Sequence, residues 1–157
     1  MKTASVSLAT IFLFSLVPGL IAQTSSDKNA PLKDIEELRV IVGGMTKSAE
    51  EIGLTREKVL EATKLRLRRE GISIGDSESI YTLLYVNVSV QGAAFHVLVG
   101  IYEPVQLARK PSFTCMGFTW WTGITGTHAG SADNIVGVVE ECLDEFLNDY
   151  YKANPKK

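Results

Sequence analysis

His128, Ser131 and Asp133 bring the three side-chain types of a hydrolytic triad into six consecutive positions. Nucleophile, base and orienting carboxylate must align with one another, and crowding all three into one short stretch works against that alignment. No Gly-x-Ser-x-Gly elbow accompanies them, so no catalytic residue is assigned. The surrounding run, Thr122 to Ser131, reads as a loop entering a helix. Its amides and hydroxyls, with Thr127, His128 and Ser131 foremost, are the best local candidates for holding an anion or small polar ligand. The run lacks the lysine and spacing of a phosphate-binding P-loop. The plainer reading is a strand-to-helix connection with Ser131 as N-cap.

Other chemistry-bearing residues are dispersed. A structural zinc site needs about four Cys or His ligands in paired spacings; His96, Cys115, His128 and Cys142 show no such pairs. No metal and no cofactor is implied. Trp120 and Trp121 are adjacent in a strand-like stretch and must point to opposite faces, one filling the core and the other lying on the outer sheet face or under a loop. With Tyr102 or Phe118 near it, the outer ring would make an aromatic platform for a sugar, a peptide or a partner protein. Arg66 falls inside the apolar face of a helix, where its stem packs and its guanidinium reaches solvent, a carboxylate or a ligand. Lys64, Arg66, Arg68 and Arg69 spread around that helix instead of forming a stripe, which disfavours nucleic acid.

The elements that must position these residues follow from periodicity. Leu38, Val40 and Val42 alternate with Arg39 and Ile41, predicting a strand over 35–42 stopped by Gly43 and Gly44. Thr55 is a good N-cap, with Leu54 and Val59 as a hydrophobic staple, so a helix is predicted over 55–70, closed at Gly71. Its broad apolar face carries Val59, Leu60, Ala62, Thr63, Leu65 and Leu67. Val86, Val88 and Val90 alternate with polar residues, Gly92 turns the chain, and Phe95, Val97, Val99 and Ile101 form the inward set of the next strand. A further strand is read over 113–122. The chain closes with a helix over 132–152, apolar at Ile135, Val136, Val139, Cys142, Leu143, Phe146 and Tyr150 and solvated by an acidic face that includes Glu145 and Asp149. These elements predict an α+β fold: a two-layer sandwich with a mostly antiparallel sheet of about four or five strands and two main helices on one face.

The first residues bear on compartment. Lys2 precedes an apolar run from Val6 to Val17, too short to span a bilayer, and Ala22 stands where a signal peptidase needs a small residue. Residues 1–22 therefore read as a signal peptide, 23–34 as a flexible leader, and 35–154 as one domain. Cleavage would leave 135 of the 157 residues and change the net charge from −2 to −3, since Lys2 is the only charged residue removed. That weak negative charge argues against polyanions and anionic lipid as partners. An exported chain meets an oxidising compartment, where Cys115 and Cys142 form the only intramolecular pair that could close; two buried free thiols are the other reading.

Gly53-Leu54-Thr55 entering the first helix, Leu65-Arg66-Leu67-Arg68 leading to Gly71-Ile72, Leu84-Tyr85-Val86, and Phe146 to Tyr151 with Asn154 together resemble a family of small exported bacterial α/β proteins of unassigned function. The resemblance spans most of the chain beyond the signal. It implies a periplasmic or secreted setting and a sheet-and-helix domain, and it carries no catalytic residue across. The expectation is a non-catalytic binding or assembly domain that takes a protein or envelope component through its exposed sheet face or, by strand addition, a free strand edge; a self-associating structural module would instead form a symmetric homodimer that buries the Trp-bearing face. The rival is a small polar-ligand binder or enzyme built on loop 122–131 with His128.

Overall fold

The computed structural model describes residues 27–155. The signal peptide read over 1–22 and the first residues of the leader lie outside the described residues. A short 3-10 helix, Ala30–Leu32, is followed by strand β1 (Arg39–Val42), helices α1 (Lys47–Glu51) and α2 (Arg56–Arg69), strands β2 (Leu83–Gln91), β3 (Ala94–Leu107) and β4 (Lys110–Thr127), and helix α3 (Ala132–Ala153). The class is α+β.

The four strands form one sheet in the order β1-β2-β3-β4. It is mixed, not mostly antiparallel: β1 runs parallel to β2, while β2-β3 and β3-β4 are antiparallel. Direction is invisible to a period-two pattern, because alternation fixes which face a residue takes and says nothing of which way its neighbour runs. The parallel pair becomes possible because α1 and α2 lie between β1 and β2, supplying the long crossover that parallel neighbours require. β1 is also shorter than expected, with Leu38 bridging to Ile74 just ahead of it.

Register places Val40, Leu84, Ile101 and Trp120 side by side across the sheet, then Val42, Val86, Val99 and Thr122, then Val88, Val97 and Ile124. Apart from Thr122 and the partly buried Ile124, these residues lie in one buried hydrophobic cluster with Val59 and Leu67 of α2 and Ile135, Val139, Leu143 and Phe146 of α3. Thr55 caps α2 as predicted, its hydroxyl accepting from the Lys58 amide at 3.2 Å. The buried stripe of α2 is Val59, Thr63 and Leu67, narrower than the broad face read from the sequence, and Leu65 is exposed. No helix among the described residues is long and apolar enough to cross a membrane.

Two segments differ from expectation. β4 does not stop near Thr122 but continues to Thr127, absorbing most of the stretch read as a loop. Gly123 and Gly126 are strand residues with crowded neighbours: a Cβ on Gly123 would lie 2.9 Å from the Val97 carbonyl, and one on Gly126 would lie 3.0 Å from the Phe95 ring. Glycines that read as loop formers are there because a neighbouring strand leaves no room for a side chain. Residues 27–34, expected to be leader, are tied to the body. Leu32 is fully buried, Asn154 donates to its carbonyl, and Lys28 meets Asp149 at 2.9 Å.

Candidate functional site

The outer face of the sheet is built by the residues alternating with the core set. Tyr102 lies opposite Leu83 on β2 and opposite Phe118 on β4; Tyr85 and Trp121 both lie opposite Gly100. Three rings converge there, with centroids of Tyr102 and Phe118 5.0 Å apart, Tyr85 and Phe118 5.9 Å, and Tyr85 and Tyr102 6.4 Å, all inclined. Inclined rings at these separations match the geometry that the aromatic quadrupole favours. Gly100 makes the cluster possible, since a Cβ there would come within 2.8 Å of the Phe118 ring. A β-bulge between Ile101 and Tyr102 leaves Thr119 unpaired, which is how Phe118 and Trp121 both face outward although three positions apart. Trp121 is 65% exposed and Phe118 44%. Among the described residues nothing covers this shallow concavity lined by Tyr85, Tyr102 and Phe118.

Trp120 takes the opposite course and is 5% exposed. Its ring meets Phe146 at 5.4 Å, and its indole N–H donates to Asp149 at 3.3 Å. Asp149, read from sequence as part of the solvated acidic face, is only 1% exposed. Its carboxylate also receives Lys28 at 2.9 Å and Lys152 at 3.0 Å. Burial alone would push this carboxyl up, but hydrogen bonds from Lys28, Lys152 and Trp120 and the charge of Lys28 outweigh it, so its pKa is lowered. The signal was in the spacing: 135, 139, 142, 146 and 149 continue one three-and-four seam, so Asp149 sits on the apolar stripe. The residue joins the amino-terminal segment, β4 and α3.

The residues of the ligand-loop reading are differently employed. The Gly130 amide donates to His128 Nδ1 at 3.0 Å, which leaves the ring proton on Nε2, and Nε2 lies 2.9 Å from the Gly92 carbonyl. Both ring nitrogens are thus spent on pinning the β2-β3 turn to the start of α3. Thr127 ends β4 opposite Ala94, and Ser131 occupies the N-cap position of α3 without a side-chain capping bond. Arg66 holds α2 against α3, with Nη2 2.7 Å and Nε 3.1 Å from Asp144 Oδ1 and Nη1 3.0 Å from Glu70. It is a two-carboxylate clasp between helices. Cys115 and Cys142 are not bonded to each other: both are free, Cys115 partly exposed on β4 and Cys142 buried on α3. Burial, with Glu145 and Glu141 nearby, pushes the Cys142 thiol up to about 11.

The structure therefore brings Trp121 together with Tyr85, Tyr102 and Phe118, and places Thr127, His128, Ser131 and Arg66 apart from them. Tyr85 was the member that sequence reasoning missed, although its alternation with Val86 and Val88 already placed it on the wetter face. No protein-family model matches the chain, nor does any curated protein.

Proposed function

We propose that this protein is an exported, non-catalytic binding domain that recognises a protein or envelope component with the outer face of its sheet. The observation that carries this reading is the aromatic cluster over Gly100, flanked by an open Trp121. Rings in contact over a glycine floor form a preorganised apolar surface, and tyrosine and tryptophan add polar edges, which is the composition of binding hot spots. The fold that goes with this reading is a two-layer sandwich, with α2 and α3 on one face of the sheet and the other face free for a partner. The setting is periplasmic or secreted after loss of residues 1–22, in keeping with the small exported bacterial proteins that the chain resembles.

The test is affinity capture from the native host's envelope and medium with the native chain and with Trp121→Ala, Phe118→Ala and His128→Ala. The reading expects a partner that binds the native chain and His128→Ala but not the two aromatic variants. Loss of binding in His128→Ala alone would instead favour the loop as a small-ligand site and overturn it.

A further inference from the structure

Charge is unevenly spread along this chain. Its formal charge is −2, yet no acidic residue stands between Glu103 and Asp133, whereas six acids are gathered on α3. The acid-free stretch includes a ribbon made by the end of β3 and the start of β4. β2 pairs with β3 only as far as Tyr102, so Glu103–Leu107 have β4 alone beside them, and no residue from Tyr102 to Thr119 is buried. The root of the ribbon is held where the Thr119 hydroxyl donates to Glu103 at 2.7 Å. A two-stranded ribbon without a core is marginal in water by itself.

The tip of the ribbon is basic and apolar. Pro104, Val105 and Gln106 pair with Met116, Cys115 and Thr114, and the register then jumps to Leu107 opposite Lys110. That jump leaves Pro111, Ser112 and Phe113 outside the ladder. Phe113 and Met116 are exposed, and Lys110 Nζ stands 6.0 Å from the centre of the Phe113 ring. Neither Arg109 nor Lys110 has a carboxylate partner among the described residues. Cations beside an exposed phenylalanine suit a membrane–water interface, where the ring takes the acyl boundary and the charged heads take the headgroups.

We propose that this tip, from Leu107 to Met116, docks on an anionic phospholipid surface. Charge complementarity selects the surface, since Arg109 and Lys110 face no acid of their own and none follows before Asp133. The net charge that disfavours anionic lipid for the chain as a whole does not describe the tip. Leu107 lies five residues beyond Tyr102 on β3, about 16 Å along an extended strand, and charges farther apart than about 8 Å are largely screened at physiological salt. Shape favours a membrane over a protein groove. Alternation puts Pro104 and Met116 on one face of the ribbon and Val105 and Cys115 on the other, and an interface surrounds both faces where a groove would cover one. Depth is limited, because the unpaired backbone groups along the ribbon edges are costly in hydrocarbon, so the tip rests among the headgroups with the Phe113 side chain reaching below them. The inference does not depend on the outer face of the sheet being a binding surface.

Flotation of the purified protein with vesicles of phosphatidylcholine, and of phosphatidylcholine mixed with phosphatidylglycerol, tests it. The native protein should bind the anionic vesicles more tightly, and the preference should shrink as salt is raised. A cation near such a surface contributes about fivefold, so Arg109→Ala combined with Lys110→Ala should weaken binding to anionic vesicles about 25-fold and remove the preference. The charge-conserving pair Arg109→Lys and Lys110→Arg should bind as the native protein does. Phe113→Ala should weaken binding about fivefold to tenfold, and Tyr85→Ala, on the outer face, should leave it unchanged. All these variants share the same amino-terminal residues, so differences among them report on the substituted positions alone. Equal binding of the two kinds of vesicle would overturn the inference, as would a preference that survives loss of both cations or binding lost in Tyr85→Ala but not in Phe113→Ala. An acidic envelope protein captured through Arg109 and Lys110 by a chain that leaves the vesicles unbound would overturn it too.

Discussion

Trp120 and Trp121 are chain neighbours with opposite environments, and so are the two faces of the sheet they belong to. On the inner face the strand residues share one buried cluster with α2 and α3, where Asp149 is held by three donors and the Thr63 hydroxyl has no partner. On the outer face the rings meet mainly one another and solvent. Residue type alone does not distinguish the faces, since both carry tryptophan and phenylalanine or tyrosine. What differs is burial: Trp120 is 5% exposed and its neighbour Trp121 65%.

The contrast is sharpest in stability. Phe146→Ala, at the centre of the buried cluster, is expected to cost about 3–5 kcal/mol, read from denaturant unfolding. Asp149→Ala should follow at about 1–3 kcal/mol, because it strands the Trp120 indole N–H and frees the amino-terminal segment. Its pH signature identifies it. The Asp149 pKa is lowered on folding, so its contribution is present above the ordinary carboxylate range near pH 4 and is lost as pH falls through the lower folded value. The native chain should therefore lose more stability than Asp149→Ala between neutral pH and pH values below about 4. Equal acid limbs in the two proteins would break the inner half of the comparison.

Smaller effects lie toward the surface. His128→Ala removes two hydrogen bonds at the rim and should cost about 1 kcal/mol in the same assay. Trp121→Ala should change stability by no more than about 0.5 kcal/mol, although it is expected to abolish partner capture. A loss of several kcal/mol in Trp121→Ala would show that this ring belongs to the fold rather than to a binding surface.

Much of this arrangement was legible in the chain. Thr55 announced α2, the valines of β2 and β3 announced their inward face, and adjacency alone put Trp120 and Trp121 on opposite sides. Other features depended on neighbours distant in sequence. Gly123 and Gly126 read as a loop because nothing local reveals that Val97 and Phe95 fill the space beside them. Leu32 sits in a polar stretch without a period, and one buried leucine makes no pattern. The direction of β1 depended on where the crossover helices return the chain. At the site, Trp121, Tyr102 and Phe118 were anticipated as companions, whereas Tyr85 and the Gly100 floor required the register of three strands.

The mixed sheet also has a consequence for the order of assembly. Gln91 and Ala94 close the β2-β3 hairpin across two residues, while Arg39 must find Leu83 across the whole α1-α2 connection. Loop-closure entropy favours the short connection, so the β2-β3-β4 meander is expected to be structured in the folding transition state and β1 to dock after it. Folding and unfolding rates of Val88→Ala and Val40→Ala check this: the first should slow folding, the second should mainly speed unfolding, and the reverse would mean that the crossover forms first.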